Sequence, residues 1–116
     1  VHHNRASELK RNFGDTASAS IGVEFVATSI SSGGDGKSRP ANASKLAAAN
    51  PHLQFYNAQR GYVRHTVDAA RWQADYMVLD RVSALHEPVK KAAGFVVGVA
   101  VAGTAFSGGA DVVRFG

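Results

Sequence analysis

The sequence predicts an α+β fold in which mainly antiparallel strands outnumber two short helices. Three observations carry that expectation. Gly61–Val67 and Trp72–Leu79 are strong strand signals, and the Asp68-Ala69-Ala70-Arg71 connection is short enough to make them a hairpin. Ile21–Ile30 is dense in β-branched and aromatic residues. The two stretches that read as helix are short.

Taken in order, Asn4–Arg11 reads as the first helix: Asn4 is a capping residue type, Glu8 sits early, and Lys10 and Arg11 lie where the helix dipole favours cations. A polar loop, Asn12–Ser20, leads to the Ile21–Ile30 strand, whose apolar density predicts burial on both faces. Ser31-Ser32-Gly33-Gly34-Asp35-Gly36 ends that strand in a glycine-rich loop. Asn42 then caps a second helix, Ala43–Ala49, which Asn50-Pro51 stops. Leu53–Tyr56 is short and apolar. In the second hairpin strand Trp72, Ala74, Tyr76 and Val78 share one face, with Gln73 and Asp75 opposite, the pattern of a half-buried antiparallel strand. A last strand is expected around Gly94–Val101.

The bulk properties exclude several function classes. A chain of 116 residues with 45% hydrophobic content is one domain, or part of one. No repeat or linker divides it, so residues 1–116 are read as a piece of a single domain. Cysteine is absent, which excludes disulfides, zinc ribbons and thiol nucleophiles. The net charge is +4 and the pI near 9.8, but the cations are spread along the chain and interleaved with acids. That distribution predicts no nucleic-acid-binding patch, which needs several cations on one face; a mildly positive field suits an anionic small substrate. The uncharged run Ala92–Phe106 is too short and glycine-rich for a transmembrane segment, which needs about 20 apolar residues. Phe95–Val101 is the segment expected to aggregate, through an exposed edge or apolar face.

The start, Val1-His2-His3-Asn4, has no initiator methionine and reads as the interior of a metal-binding motif. The expectation is therefore a C-terminal piece of a longer protein. Three segments share that register: Val1-His2-His3-Asn4 with Ala6-Ser7-Glu8-Leu9-Lys10; Glu24-Phe25-Val26-Ala27-Thr28-Ser29-Ile30 running into Ser31-Ser32-Gly33-Gly34-Asp35-Gly36; and Asn50-Pro51-His52-Leu53-Gln54-Phe55-Tyr56-Asn57 running into Arg60-Gly61-Tyr62-Val63. Together they resemble the C-terminal part of the PhoD-like phosphatases, the alkaline phosphatase D family. The match is best over residues 1–97, and residues 98–116 form a divergent tail.

The resemblance implies a good deal. The fold would be the C-terminal part of a calcineurin-like metallophosphoesterase β-sandwich flanked by helices. The function would be a metal-dependent alkaline phosphatase or phosphodiesterase, hydrolysing phosphate mono- or diesters with metal-activated water. The cofactors would be calcium and iron, which suit carboxylate, carbonyl and imidazole donors. In the family the first segment is preceded by Gly-Asp, giving Gly-Asp-Val-His, so His2 would be the metal ligand. His3 and Asn4 would stand beside it, and Ser31 and Ser32 would line the substrate's approach. A helix starting at Asn4 would turn free N–H groups toward the site. The partner would be the upstream part of the same catalytic domain, and the intact protein would be extracellular, periplasmic or at the cell envelope. Arg5 departs from the tryptophan usual in the family.

With one ligand for a whole site, the chain is expected to be inactive alone; the alternative is a non-catalytic, truncated or degenerate β-rich module. The remaining candidates read as structural. His52, His65 and His86 lack ligand spacing, and Ser31–Gly34 lacks the lysine and helix of a P-loop. Thr28 and Ser29 read as strand hydroxyls satisfied by backbone. Arg60 and Tyr62 read as packing at a strand start, and Trp72 and Tyr76 as core aromatics.

Overall fold

The computed structural model describes residues 2–98 and a strand at Val112–Phe115. Among the described residues seven strands and one short helix follow one another: β1 (Asn4–Lys10), β2 (Ser20–Val26), α1 (Ala43–Ala49), β3 (Leu53–Asn57), β4 (Gly61–Val67), β5 (Arg71–Val78), β6 (Lys90–Gly98) and β7 (Val112–Phe115). They form two antiparallel sheets, three-stranded in the order β2-β1-β3 and four-stranded in the order β4-β5-β6-β7.

The sheets face each other across an aromatic core. Phe25 and Phe55 come from the first sheet, Tyr76 and Phe95 from the second, and neighbouring ring centroids lie 4.9–6.4 Å apart. Ala6 and Ala93 fill the spaces between rings. The Tyr76 hydroxyl crosses the gap and donates to the Arg5 carbonyl at 2.5 Å. Burial pushes the Tyr76 hydroxyl's pKa far above its usual value, so it stays a donor.

The hairpin is as expected. Gly61 pairs with Val78 and Val67 with Trp72, and Ala74, Tyr76 and Val78 are fully buried. Asp75, on the opposite face, departs from the expected solvated position. It is only 2% exposed, because Arg64, Lys91 and Gln73 close over it at 3.0–3.3 Å. Burial raises the Asp75 carboxyl, and the hydrogen bonds from Lys91, Gln73 and Arg64 more than reverse that, holding it below the usual range.

Three expectations are corrected. Asn4–Arg11 is not a helix: Asn4–Lys10 is the central strand of the first sheet, paired on both sides. Its local helix-forming residues lose to two ladders of tertiary hydrogen bonds. With the helix goes the argument that its N–H groups point toward a site. Ile21–Ile30 is not buried on both faces either. β2 stops at Val26 and pairs only with β1, leaving Ile21 51% and Ile30 66% exposed. Finally, Phe95–Gly98 is not an exposed edge. β6 starts at Lys90 rather than Gly94, runs between β5 and β7, and buries Phe95 and Val97; residues 99–101 lie outside the described part, as does most of the 98–116 tail.

Helix α1 occupies the expected residues, although the Asn42 side chain makes no capping bond. Its far end is closed by Asn50, whose Nδ2 donates to the Leu46 carbonyl at 2.9 Å. Among the described residues it is the one α-helix, and no helix is long and apolar enough to cross a membrane.

Candidate functional site

The sequence candidates gather at one end of the sandwich, where the segment entering β1 meets the loop that follows β2. His2 precedes β1 and is exposed; a Cβ on Gly33 would stand 3.1 Å from its Cδ2. The loop reaches that position through consecutive left-handed residues, Gly33 at φ 85° and Gly34 at φ 71°, a backbone other residues adopt only under strain. Ser31 and Ser32 are exposed on the same loop, and Ser29 Oγ closes it by donating to the Ser32 carbonyl at 2.7 Å. Asp35 ties the loop to the next one, accepting from the Val82 and Ser83 N–H groups at 2.6 and 3.0 Å and from the Ser83 hydroxyl at 2.7 Å. The Ser83 hydroxyl, followed by the Val82 N–H, lowers the Asp35 pKa.

His3 and Asn4 part company. The His3 ring leans on Tyr56, with centroids 5.3 Å apart, and its buried Nδ1 has no hydrogen-bond partner among the described residues. Burial, then the charge of Arg5, lowers its pKa, which favours a neutral imidazole. Asn4 points inward and is 1% exposed. Its Nδ2 donates to Asn57 Oδ1 at 3.1 Å and its Oδ1 accepts from the Thr28 N–H at 3.0 Å. A buried amide chain continues from Asn57 through Gln59 to Asp80, which Lys90 holds in an ion pair. Asn4 therefore fastens the end of β2 to β3, a scaffold role, and is not open to a substrate.

Arg60 is the residue that sequence reasoning undervalued. It immediately precedes β4 and is 7% exposed. Nε donates to the Gly34 carbonyl at 2.9 Å. Nη1 reaches the His2 carbonyl at 3.2 Å, Thr28 Oγ1 at 3.3 Å and the Ala58 carbonyl at 2.9 Å. Thr28, read as satisfied by backbone, thus gives its hydroxyl to this guanidinium. These acceptors are up to 58 residues away in the chain, so no local signal marked them.

The other candidates fall out as structural. His65 Nδ1 accepts from Trp72 Nε1 at 2.9 Å, and His52 packs edge-on against Phe13. His86 sits in a loop with φ 61°. Tyr62, expected to pack, is 42% exposed.

Among the described residues no three His, Asp or Glu side chains cluster to hold a metal ion. Hard and borderline ions such as calcium and iron take several carboxylate, carbonyl and imidazole donors. The residues present fit the provision of one imidazole, His2, whose ring is open while its backbone is tied down.

The family model for PhoD-like phosphatases matches residues 1–76. The chain belongs to the PhoD-like phosphatase family. It is similar to alkaline phosphatase D of Bacillus subtilis (strain 168), with 44% identity over 96 residues, which is 83% of this chain and 16% of that protein. A solved structure described as a structure of PhoD superposes on all of this chain and 21% of its own, with a TM-score of 0.86 and 36% identity. The chain therefore spans under a quarter of the PhoD-like proteins it matches, and the paired sheets are a piece of their architecture.

Proposed function

We propose that this chain works as one part of a longer PhoD-like phosphatase that hydrolyses phosphate mono- or diesters, and that His2 is its contribution to the metal centre. The observation that carries the reading is the placement of His2: an open imidazole on an anchored backbone, facing a glycine-rich loop at the end of a sandwich. Family membership supports phosphate-ester chemistry for the whole protein. Calcium and iron are the metals proposed, and when bound they would polarise the phosphoryl oxygens and activate water.

This chain's own residues have simpler tasks. His2 supplies a nitrogen donor. Ser31 and Ser32, exposed on the facing loop, line the approach of the ester, and His3 lies behind His2 with its neutral ring against Tyr56. The remaining donors come from the rest of the protein, which is also the chain's principal partner. The whole protein is proposed to act outside the cytoplasm or at the cell envelope.

Taken alone, the chain is proposed to be inactive, because it brings one candidate ligand where a calcium ion alone takes about 6–8 oxygen ligands; the alternative is a truncated or degenerate, non-catalytic β-rich module. The test is direct. The purified chain should show no turnover of an aryl phosphate ester with calcium and iron supplied, whereas the full-length protein should turn it over; robust turnover by the chain alone overturns the division of labour.

A further inference from the structure

Arg60 carries a charge that packing at a strand start does not require. The residue is 7% exposed and its hydrogen bonds go to three carbonyls and one hydroxyl, with no carboxylate among them. Burying an unpaired cation is unfavourable, and a neutral side chain would avoid the penalty. What the charge secures is geometry: the rigid planar fork engages the His2 backbone, the Thr28 hydroxyl, the Gly34 carbonyl and the Ala58 carbonyl at once.

The same guanidinium lies near the His2 side chain, beside the Gly33 position. Arg60 Nη2 and His2 Cδ2 lie 3.2 and 3.1 Å from the single point a Gly33 Cβ would occupy. The His2 ring has no hydrogen bond of its own among the described residues, so its position follows from its backbone anchor and from the loop beside it. Arg60 holds both. We propose that Arg60 is a positioning residue for His2, fixing the imidazole against the Gly33-Gly34 loop in the orientation that binds metal. The inference rests on the reading of His2 as a ligand.

The experiment titrates iron(II), the proposed metal that an imidazole nitrogen suits, into chelator-stripped full-length protein carrying His2→Ala, Arg60→Lys, or both, with the melting temperature of each metal-free variant recorded. Arg60→Lys keeps the charge and loses the fork. It should weaken iron binding about tenfold, the scale of outer-shell changes around metal ligands. In the double variant binding should be no weaker than with His2→Ala alone, since Arg60 acts through His2. Unchanged affinity in Arg60→Lys overturns the proposal, as do losses that add fully in the double variant. Unchanged affinity in His2→Ala removes the ligand itself and the inference with it, and the two failures are read from different variants. If Arg60→Lys does not fold, Thr28→Val deletes one acceptor of the fork. It should give a smaller loss that vanishes in the His2→Ala background, and unchanged affinity there counts equally against the proposal.

Discussion

At the scale of single residues, polar side chains that look expendable in sequence hold the structure's fixed points. Asp75 is the case with a pH signature. Its carboxyl has a lowered pKa in the fold, because its hydrogen bonds from Lys91, Gln73 and Arg64 outweigh the opposing effect of burial. The stabilisation is therefore present above the ordinary carboxylate range and is lost as pH falls through the depressed value. Asp75→Asn should cost about 1–2 kcal/mol at neutral pH and flatten the acid side of the stability profile; thermal melts across pH report both. Gly61 is fixed by space. A Cβ there would stand 1.9 Å from the Met77 carbonyl oxygen, across the hairpin pair that opens β4. Gly61→Ala should destabilise by about 2–3 kcal/mol, measured as a lower denaturant midpoint.

At the scale of elements, legibility in the sequence depended on whether the deciding contacts were local. The β4–β5 hairpin was legible because Trp72, Ala74, Tyr76 and Val78 alternate with polar residues and the connection is short. Strand β1 was not. Asn-Arg-Ala-Ser-Glu-Leu-Lys has a helical capping and charge pattern, and what makes it a strand is pairing with β2 and with β3, whose partner Asn57 lies 53 residues beyond Asn4. The extent of β2 was overestimated for the same reason, since apolar density does not reveal that a strand will lie at an edge with one ladder. The candidate site divided likewise. The resemblance singles out His2, Ser31 and Ser32 as candidates, whereas the fork of Arg60 became visible only once the fold brought residues 2, 28, 34 and 58 around it. The contact between sheets offers a test at this scale. Tyr76→Phe removes the hydroxyl that bridges to the Arg5 carbonyl and should cost about 1 kcal/mol, whereas Phe55→Ala should cost about 3–5 kcal/mol by opening the aromatic core. Melting temperatures of the two variants should fall in that order.

At the scale of the whole molecule, the two sheets bury one good core between them and leave other apolar groups uncovered. Phe13, Ile21, Ile30, Val67 and Leu85 are each more than half exposed. We propose that these residues meet the remainder of a longer protein, since the chain covers 16% of a related protein's length. The isolated chain should therefore be poorly soluble and prone to self-association, with β2, β3, β4 and β7 as the sheet edges among the described residues rather than β6. Light scattering of the purified chain checks this, and a monodisperse, cooperatively unfolding monomer would count against it. This piece is proposed to lend one imidazole to a metal centre completed elsewhere in the protein. The most direct test of that role is elemental analysis of calcium and iron bound to the full-length protein with His2→Ala. Metal should be lost together with phosphatase activity while the melting profile of the metal-free protein is unchanged; a full metal complement in the variant would show that His2 is not a ligand.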